Sequence, residues 1–468
     1  MTGTATPDAE LGSRFPAGFR WGVSTSAYQI EGGVAEGGRK PSIWDTFSHT
    51  PGRTENGDTG DVACDHYHRW REDLDLMSGL GLDTYRLSLS WARLCPDGTV
   101  PLSPAGRDFY DRIIDRLLEL GIRPAVTLYH WDLPQALQDR DGWVSRDTAH
   151  RFGEYAEACF AAFGDRVDCW ITQNEPWVIG VLGHQLGMHA PGETDVARSL
   201  RAIHHVLLGH GLAMRALRAS GRPGRAGVAF SLFPSYPASD SEADRAAAWG
   251  SDGYANRWFL DPVFGRGYPE DTLEHYRRLV ADPLDCVADG DLDVIATPSD
   301  FLGVNYYTRR VIRAVERGRD GSDGRFPWAV LPAAPGVPVS GIGWEIVPDC
   351  LTDLLVRLRR DYGDVPMLIT ENGGVFDTGP DDAGRVPDHG RSAFLRGHLT
   401  AVARAIQLGV PVEGYLHWSL MDNFEWAMGY GPRFGLVHVD YATQRRTVKD
   451  SAHCYARIIA GHRARHRP

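Results

Sequence analysis

Two glutamates stand where an apolar stretch stops. Glu175 follows Val167-Asp168-Cys169-Trp170-Ile171, and Glu371 follows Pro366-Met367-Leu368-Ile369. Each has an amide neighbour, Asn174 before the first and Asn372 after the second. A carboxylate at the end of a buried strand loses water that its charge needs, so it is costly there unless paired or employed. Two of them on separate strands suit an acid and a nucleophile, the apparatus that breaks glycosidic bonds. Helix-capping or salt-bridged glutamates at strand ends are the other reading of the same spacing.

The elements that must position them form a strand-then-helix rhythm. Short, nearly continuous apolar runs at 20–24, 84–90, 124–129, 168–172, 228–232, 301–306, 367–370 and 414–418 read as parallel strands buried on both faces. Between them lie helical stretches, clearest over 106–120, where Phe109, Ile113, Ile114, Leu117 and Leu118 recur at helical spacing. Eight strands alternating with helices predict a single-domain α/β fold, a (β/α)8 TIM barrel over 15–460, with a polar tail at 1–14 and a basic tail at 461–468. The Gly/Pro-rich stretch 318–343 and the stretch 377–391 read as long loops over the barrel mouth.

Strand ends in such a barrel build the active site. Here they deliver Gln29-Ile30-Glu31, Arg86, His130-Trp131-Asp132, Asn174-Glu175, Asn305-Tyr306-Tyr307, Glu371-Asn372 and Trp418-Ser419. Trp91, Trp131, Trp177, Trp418 and Trp426 also fall near strand ends. Indole faces stack on the C–H face of a sugar, although large aromatics serve cores as well.

Composition narrows the classes. At 468 residues and 43% hydrophobic, the chain can bury a large core. A net charge of −12 argues against nucleic acid and makes a strongly anionic substrate less suitable. Seven scattered cysteines, odd in number and without a C-x-x-C pair, read as reduced thiols. No apolar signal core and no bilayer-length run is present, so a cytoplasmic protein without a membrane partner is expected. His66-Tyr67-His68 and His204-His205 supply no third metal ligand.

The motifs together resemble glycoside hydrolase family 1, the retaining β-glucosidase family, from about Phe15 to about Tyr455. The marks are Phe19-Arg20-Trp21-Gly22, Ser26-Ala27-Tyr28-Gln29-Ile30-Glu31-Gly32, Tyr85-Arg86-Leu87-Ser88-Leu89-Ser90-Trp91 and Tyr129-His130-Trp131-Asp132-Leu133-Pro134. Asn174-Glu175-Pro176, Asn305-Tyr306-Tyr307, Glu371-Asn372-Gly373 and Trp418-Ser419-Leu420-Met421-Asp422-Asn423-Phe424-Glu425-Trp426 complete the set in order.

That resemblance implies Glu175 as general acid/base and Glu371 as nucleophile, their carboxyls ~5 Å apart as retention requires. Arg86 and Tyr307 would contact the nucleophile, a cation and a hydroxyl donor favouring its charged form. Gln29, His130, Asn174, Glu425 and Trp426 would hydrogen-bond the sugar, with Trp418 as stacking platform. Trp131, Asn305, Tyr307 and Phe434 join the implied substrate-binding set. Trp344, with Trp177, would line the leaving-group site. No cofactor and no metal is implied.

The expected substrates are β-glucosides such as cellobiose or aryl glucosides, with galacto and fuco sugars as possible extensions. Relatives acting on 6-phosphorylated sugars replace the Glu425 region with a serine and a nearby lysine; Phe424-Glu425-Trp426 stands here. A 6-phospho-β-glycosidase and a non-catalytic sugar-binding relative are the two rival functions. Whether the chain is a monomer or a homo-oligomer is not encoded in these motifs.

Overall fold

A computed structural model describes residues 6–315, 326–376 and 378–466. Eight parallel strands close into a barrel: β1 Arg20–Ser24, β2 Thr84–Ser88, β3 Arg123–Tyr129, β4 Cys169–Asn174, β5 Arg225–Ser231, β6 Phe301–Asn305, β7 Met367–Asn372 and β8 Val412–Trp418. Each pairs with its sequence neighbours, and β8 closes onto β1 through Arg20↔Gly414 to Ser24↔Trp418. All eight expected strands are present.

The barrel interior is plugged by Ala125, Cys169, Ile171, Ala229, Phe301, Leu368 and Leu416. This apolar plug closes the bottom, so the polar side chains above it have one opening, at the C-terminal ends of the strands. The helix expected over 106–120 runs Pro104–Glu119. It starts earlier because the Ser103 hydroxyl accepts from the Gly106 amide and Pro104 takes the first turn, where its missing N–H costs nothing.

Two boundaries differ at the edges. The polar tail at 1–14 contains a helix, Pro7–Gly12, and the helix Asp450–Arg465 runs past 460. The two pack so closely that a side chain at Gly12 would meet the Ile458 carbonyl at 1.9 Å. Asp8 is buried there and accepts from Arg396 and Arg457, which ties the Pro7–Gly12 helix to the outer helices of the barrel.

Within the loop 318–343, residues 318–325 lie outside the described set, and Trp328–Val330 forms a strand antiparallel to Arg310–Ala314. In the loop 377–391, Asp377 lies outside that set, and the helix His389–Gln407 begins before the expected end. Buried Arg391 there pairs with Asp388 and donates to the carbonyls of Gly374 and Phe434.

Candidate active site

β4 and β7 each lose strand register at their C-terminal ends, between Ile171 and Asn174 and between Ile369 and Glu371. Such irregularities re-aim the side chains that follow. Glu175 takes a left-handed φ of 51°, rare outside glycine, and its amide still reaches the Ala229 carbonyl at 2.8 Å. Beyond Glu371, a Cβ on Gly373 would lie 1.8 Å from the Trp418 carbonyl oxygen, so only glycine fits this turn.

Glu371 is held from two sides. Arg86 Nη1 donates to its Oε1 at 2.5 Å, and the Tyr307 hydroxyl donates to its Oε2 at 2.5 Å. The Arg86 side chain is fully buried; its Nε reaches Thr127 at 3.0 Å and its Nη2 reaches Asn174 Oδ1 at 2.6 Å. One guanidinium therefore ties the ends of β2, β3, β4 and β7 together. Arg86→Ala should leave Glu371 as an uncompensated buried charge and lower unfolding stability by about 3–5 kcal/mol, measured by urea denaturation near pH 7.

Glu175 has a different environment. Its Oε1 accepts from Asn305 Nδ2 at 2.7 Å, and Thr370 orients that amide by donating to Asn305 Oδ1 at 2.6 Å. Burial first, and the Glu371 charge second, push the Glu175 carboxyl up to about 8, against smaller opposing effects of Asn305 and Arg86. One carboxyl gripped by a cation beside another kept protonated near neutral pH is the division that acid–nucleophile catalysis needs.

The two amides that flank the glutamates differ in role. Asn174 Oδ1 accepts from Arg86 and Asn305, and its Nδ2 lies 3.1 Å from His130 Nε2, so it links the group that holds Glu371 to the group that holds Glu175. Asn372 donates to the Tyr306 carbonyl at 2.7 Å and accepts from the Tyr415 hydroxyl at 2.7 Å. Its task is to pin the end of β7 between β6 and β8.

A cavity of about 260 Å³ opens above the pair. His130, Trp131, Tyr307, Trp344, Trp418, Glu425, Trp426 and Phe434 line it with both glutamates, as does Trp177. Gln29, Asn174 and Asn305, fully buried, stand behind that lining. Gln29 braces the loop that carries Glu425 and Trp426 by donating to Asn423 Oδ1 at 3.0 Å and the Phe424 carbonyl at 2.8 Å, with Glu425 at 3.5 Å. His130 lies parallel to Trp418 and Trp426 at 5.7 and 6.0 Å, and Trp131 donates to the Asn174 carbonyl at 2.9 Å.

Trp91 does not join them. It is fully buried and stacks on Tyr155 at 4.8 Å in the layer between barrel and helices. Sequence reading also missed Leu182, Met188, His189, Ser231, Phe233, Ile342 and Met428, all of which line the cavity. Most of these lie on excursions between elements, where apolar residues carry no periodic signal.

The charge in the lining is one-sided. Burial pushes Glu425 up to about 8, helped by the Glu371 charge, and drives His189 down to about 3 and His130 well below the usual histidine range. Among the described residues, no lysine or arginine lines the cavity. His66 and His204, which could have suggested metal, are engaged with Asp73 at 2.7 Å and Asp291 at 2.9 Å. Among the described residues, no cluster of three or more His, Cys, Asp or Glu could hold a metal ion.

A closed (β/α)8 barrel with two glutamates in unequal surroundings, both lining one cavity at its mouth, fits a glycoside-cleaving enzyme. The chain belongs to glycosyl hydrolase family 1, whose family model matches residues 11–464. It is 44% identical to beta-glucosidase A of Thermotoga maritima over 95% of this chain and 98% of that one. It is 46% identical to a bifunctional beta-D-glucosidase/beta-D-fucosidase of Bifidobacterium breve, over 96% and 99%. The family 1 β-glucosidase structure from Thermotoga maritima superposes with a TM-score of 0.91 at 43% identity, covering 96% of this chain and 98% of that one.

Proposed function

We propose that this chain is a retaining β-glucosidase that releases terminal β-D-glucosyl residues, with Glu371 as nucleophile and Glu175 as acid/base. The carrying observation is the unequal treatment of the two carboxyls: Arg86 and Tyr307 grip Glu371, while Glu175 is pushed up to about 8. Glu371 attacks the anomeric carbon as Glu175 donates its proton to the leaving oxygen. Esterification removes the Glu371 charge, which lowers the proton affinity of Glu175. Glu175 then takes a proton from water, and that water releases the sugar with its configuration kept.

Trp418 and His130 give the glycone a flat floor, and Glu425 and Trp426 offer partners for its hydroxyls. Gln29, Asn174 and Asn305 act from behind, by fixing those groups or by turning towards a bound sugar. The same polar set serves β-galactosides and β-fucosides, which differ from glucose at one or two hydroxyls.

The absence of a cation from the described lining favours an unphosphorylated sugar. Glu425, protonated in part near neutral pH, adds less repulsion than a fully ionised carboxylate, so the missing cation carries more of the exclusion. Turnover of 4-nitrophenyl β-D-glucoside should exceed that of its 6-phosphate; the reverse order would make the 6-phospho-β-glycosidase reading correct.

Substrates of this class are small β-glucosides, and cleavage of cellobiose would place the enzyme in cellulose degradation. All seven cysteines are free and six are buried, which suits the reducing cytoplasm. No described helix is long and apolar enough to cross a membrane.

A further inference from the structure

We infer that the leaving-group end of the cavity selects an apolar aglycone, aryl or arylalkyl, over a second sugar; this rests on the β-glucosidase reading above. The cavity is graded in depth. His130, Trp418 and Trp426 are buried at its floor with Glu175 and Glu371, and Glu425 beside them is half-buried. Towards solvent, Met188, Trp344 and Met428 are 58%, 36% and 36% exposed, and Phe233 and Ile342 are half-buried. The plugged barrel leaves one opening, so a glucosyl unit on the floor sends its aglycone out past these five side chains.

Those five carry two thioethers, two aromatic rings and one aliphatic chain, and the indole N–H of Trp344 is their one hydrogen-bonding group. Trp177 extends the wall, its ring 5.2 Å from that of Phe233. The Arg310 guanidinium packs 3.9 Å from the Phe233 ring centre and 5.1 Å from that of Trp177, which stiffens both. Of the other polar lining groups, Ser231 is buried and His189 packs against Trp131 and Trp426 near the floor. Apart from the three glutamates, no carboxylate, amide, ammonium or guanidinium lines the cavity among the described residues.

A sugar in the outer half would meet hydrocarbon and sulfur where its hydroxyls want partners, and would gain little over water. An apolar ring there leaves water for a close-fitting wall. The polar groups that could orient a pyranose are confined to the floor, where one glucosyl unit fills them.

The test compares kcat/KM for 2-phenylethyl β-D-glucoside, cellobiose and methyl β-D-glucoside. 2-Phenylethanol is a poorer leaving group than a sugar hydroxyl, so faster cleavage of its glucoside cannot come from leaving-group acidity. The phenylethyl glucoside should exceed cellobiose by about 10-fold or more. Phe233→Asn should lower that ratio by about 10-fold. Met188→Ser, at an exposed position that tolerates substitution, should lower it in the same direction. Cellobiose turned over as fast or faster, or a ratio that neither variant moves, overturns the inference alone. No turnover of any of the three glucosides overturns the β-glucosidase reading with it.

Discussion

Glu371→Gly should lower kcat on 4-nitrophenyl β-D-glucoside on the order of 10⁵-fold, because no other group can form the glycosyl ester. Glu371 is the one carboxylate gripped by both Arg86 and Tyr307, and its removal opens space on the face from which the anomeric carbon is attacked. Azide should enter that space and restore turnover. A single displacement from that face inverts the centre, so the product should be α-glucosyl azide, identified by NMR. Full activity in the variant, or a β-azide product, would remove Glu371 from the nucleophile's position.

Glu175→Ala should cost about 10²–10⁴-fold on cellobiose, whose leaving hydroxyl needs a proton. The loss in the first step should nearly vanish with 2,4-dinitrophenyl β-D-glucoside, whose phenolate leaves unassisted. Azide should then accelerate release of the glycosyl-enzyme and give β-glucosyl azide, the outcome of two inversions. Equal losses on both substrates would deny Glu175 its role as acid.

The pH dependence follows from the same environment. Glu175 lies near 8 in the free enzyme, so kcat/KM should fall on the alkaline side around that pH as the acid loses its proton. Glu425 is likewise pushed up to about 8, by burial and by the Glu371 charge. Both carboxyls are raised relative to their value of 4.5 in an unfolded chain. Between about 4.5 and 8 the folded protein therefore holds protons that the unfolded chain has released, and stability falls as pH rises through that window. Glu175→Gln removes one of these groups, so its stability should decline less between pH 5 and 8.

The barrel was legible because its strands are buried on both faces and read as short apolar runs separated by amphipathic helices. That Glu175 and Glu371 meet at one cavity was legible because two glutamates break such runs abruptly. What carries Glu175 into place was not: a left-handed residue and a register shift leave no periodic trace, and only a folded backbone displays them. Asn174 and Asn372 look alike in sequence, yet one links the partners of the two glutamates and the other pins strands. Trp91 and Trp131 occupy similar strand-end positions, and neighbours distant in sequence put one in the core and the other at the cavity. Met188, Phe233 and Met428 were invisible for the same reason, since the wall they form exists only where separate loops converge.

The first-formed anomer tests the central claim most directly. Proton NMR during rapid hydrolysis of 4-nitrophenyl β-D-glucoside should show β-D-glucose accumulating first, with the α anomer appearing only at the rate of mutarotation. α-D-Glucose as the first product would mean one displacement by water, and Glu371 could not be the nucleophile.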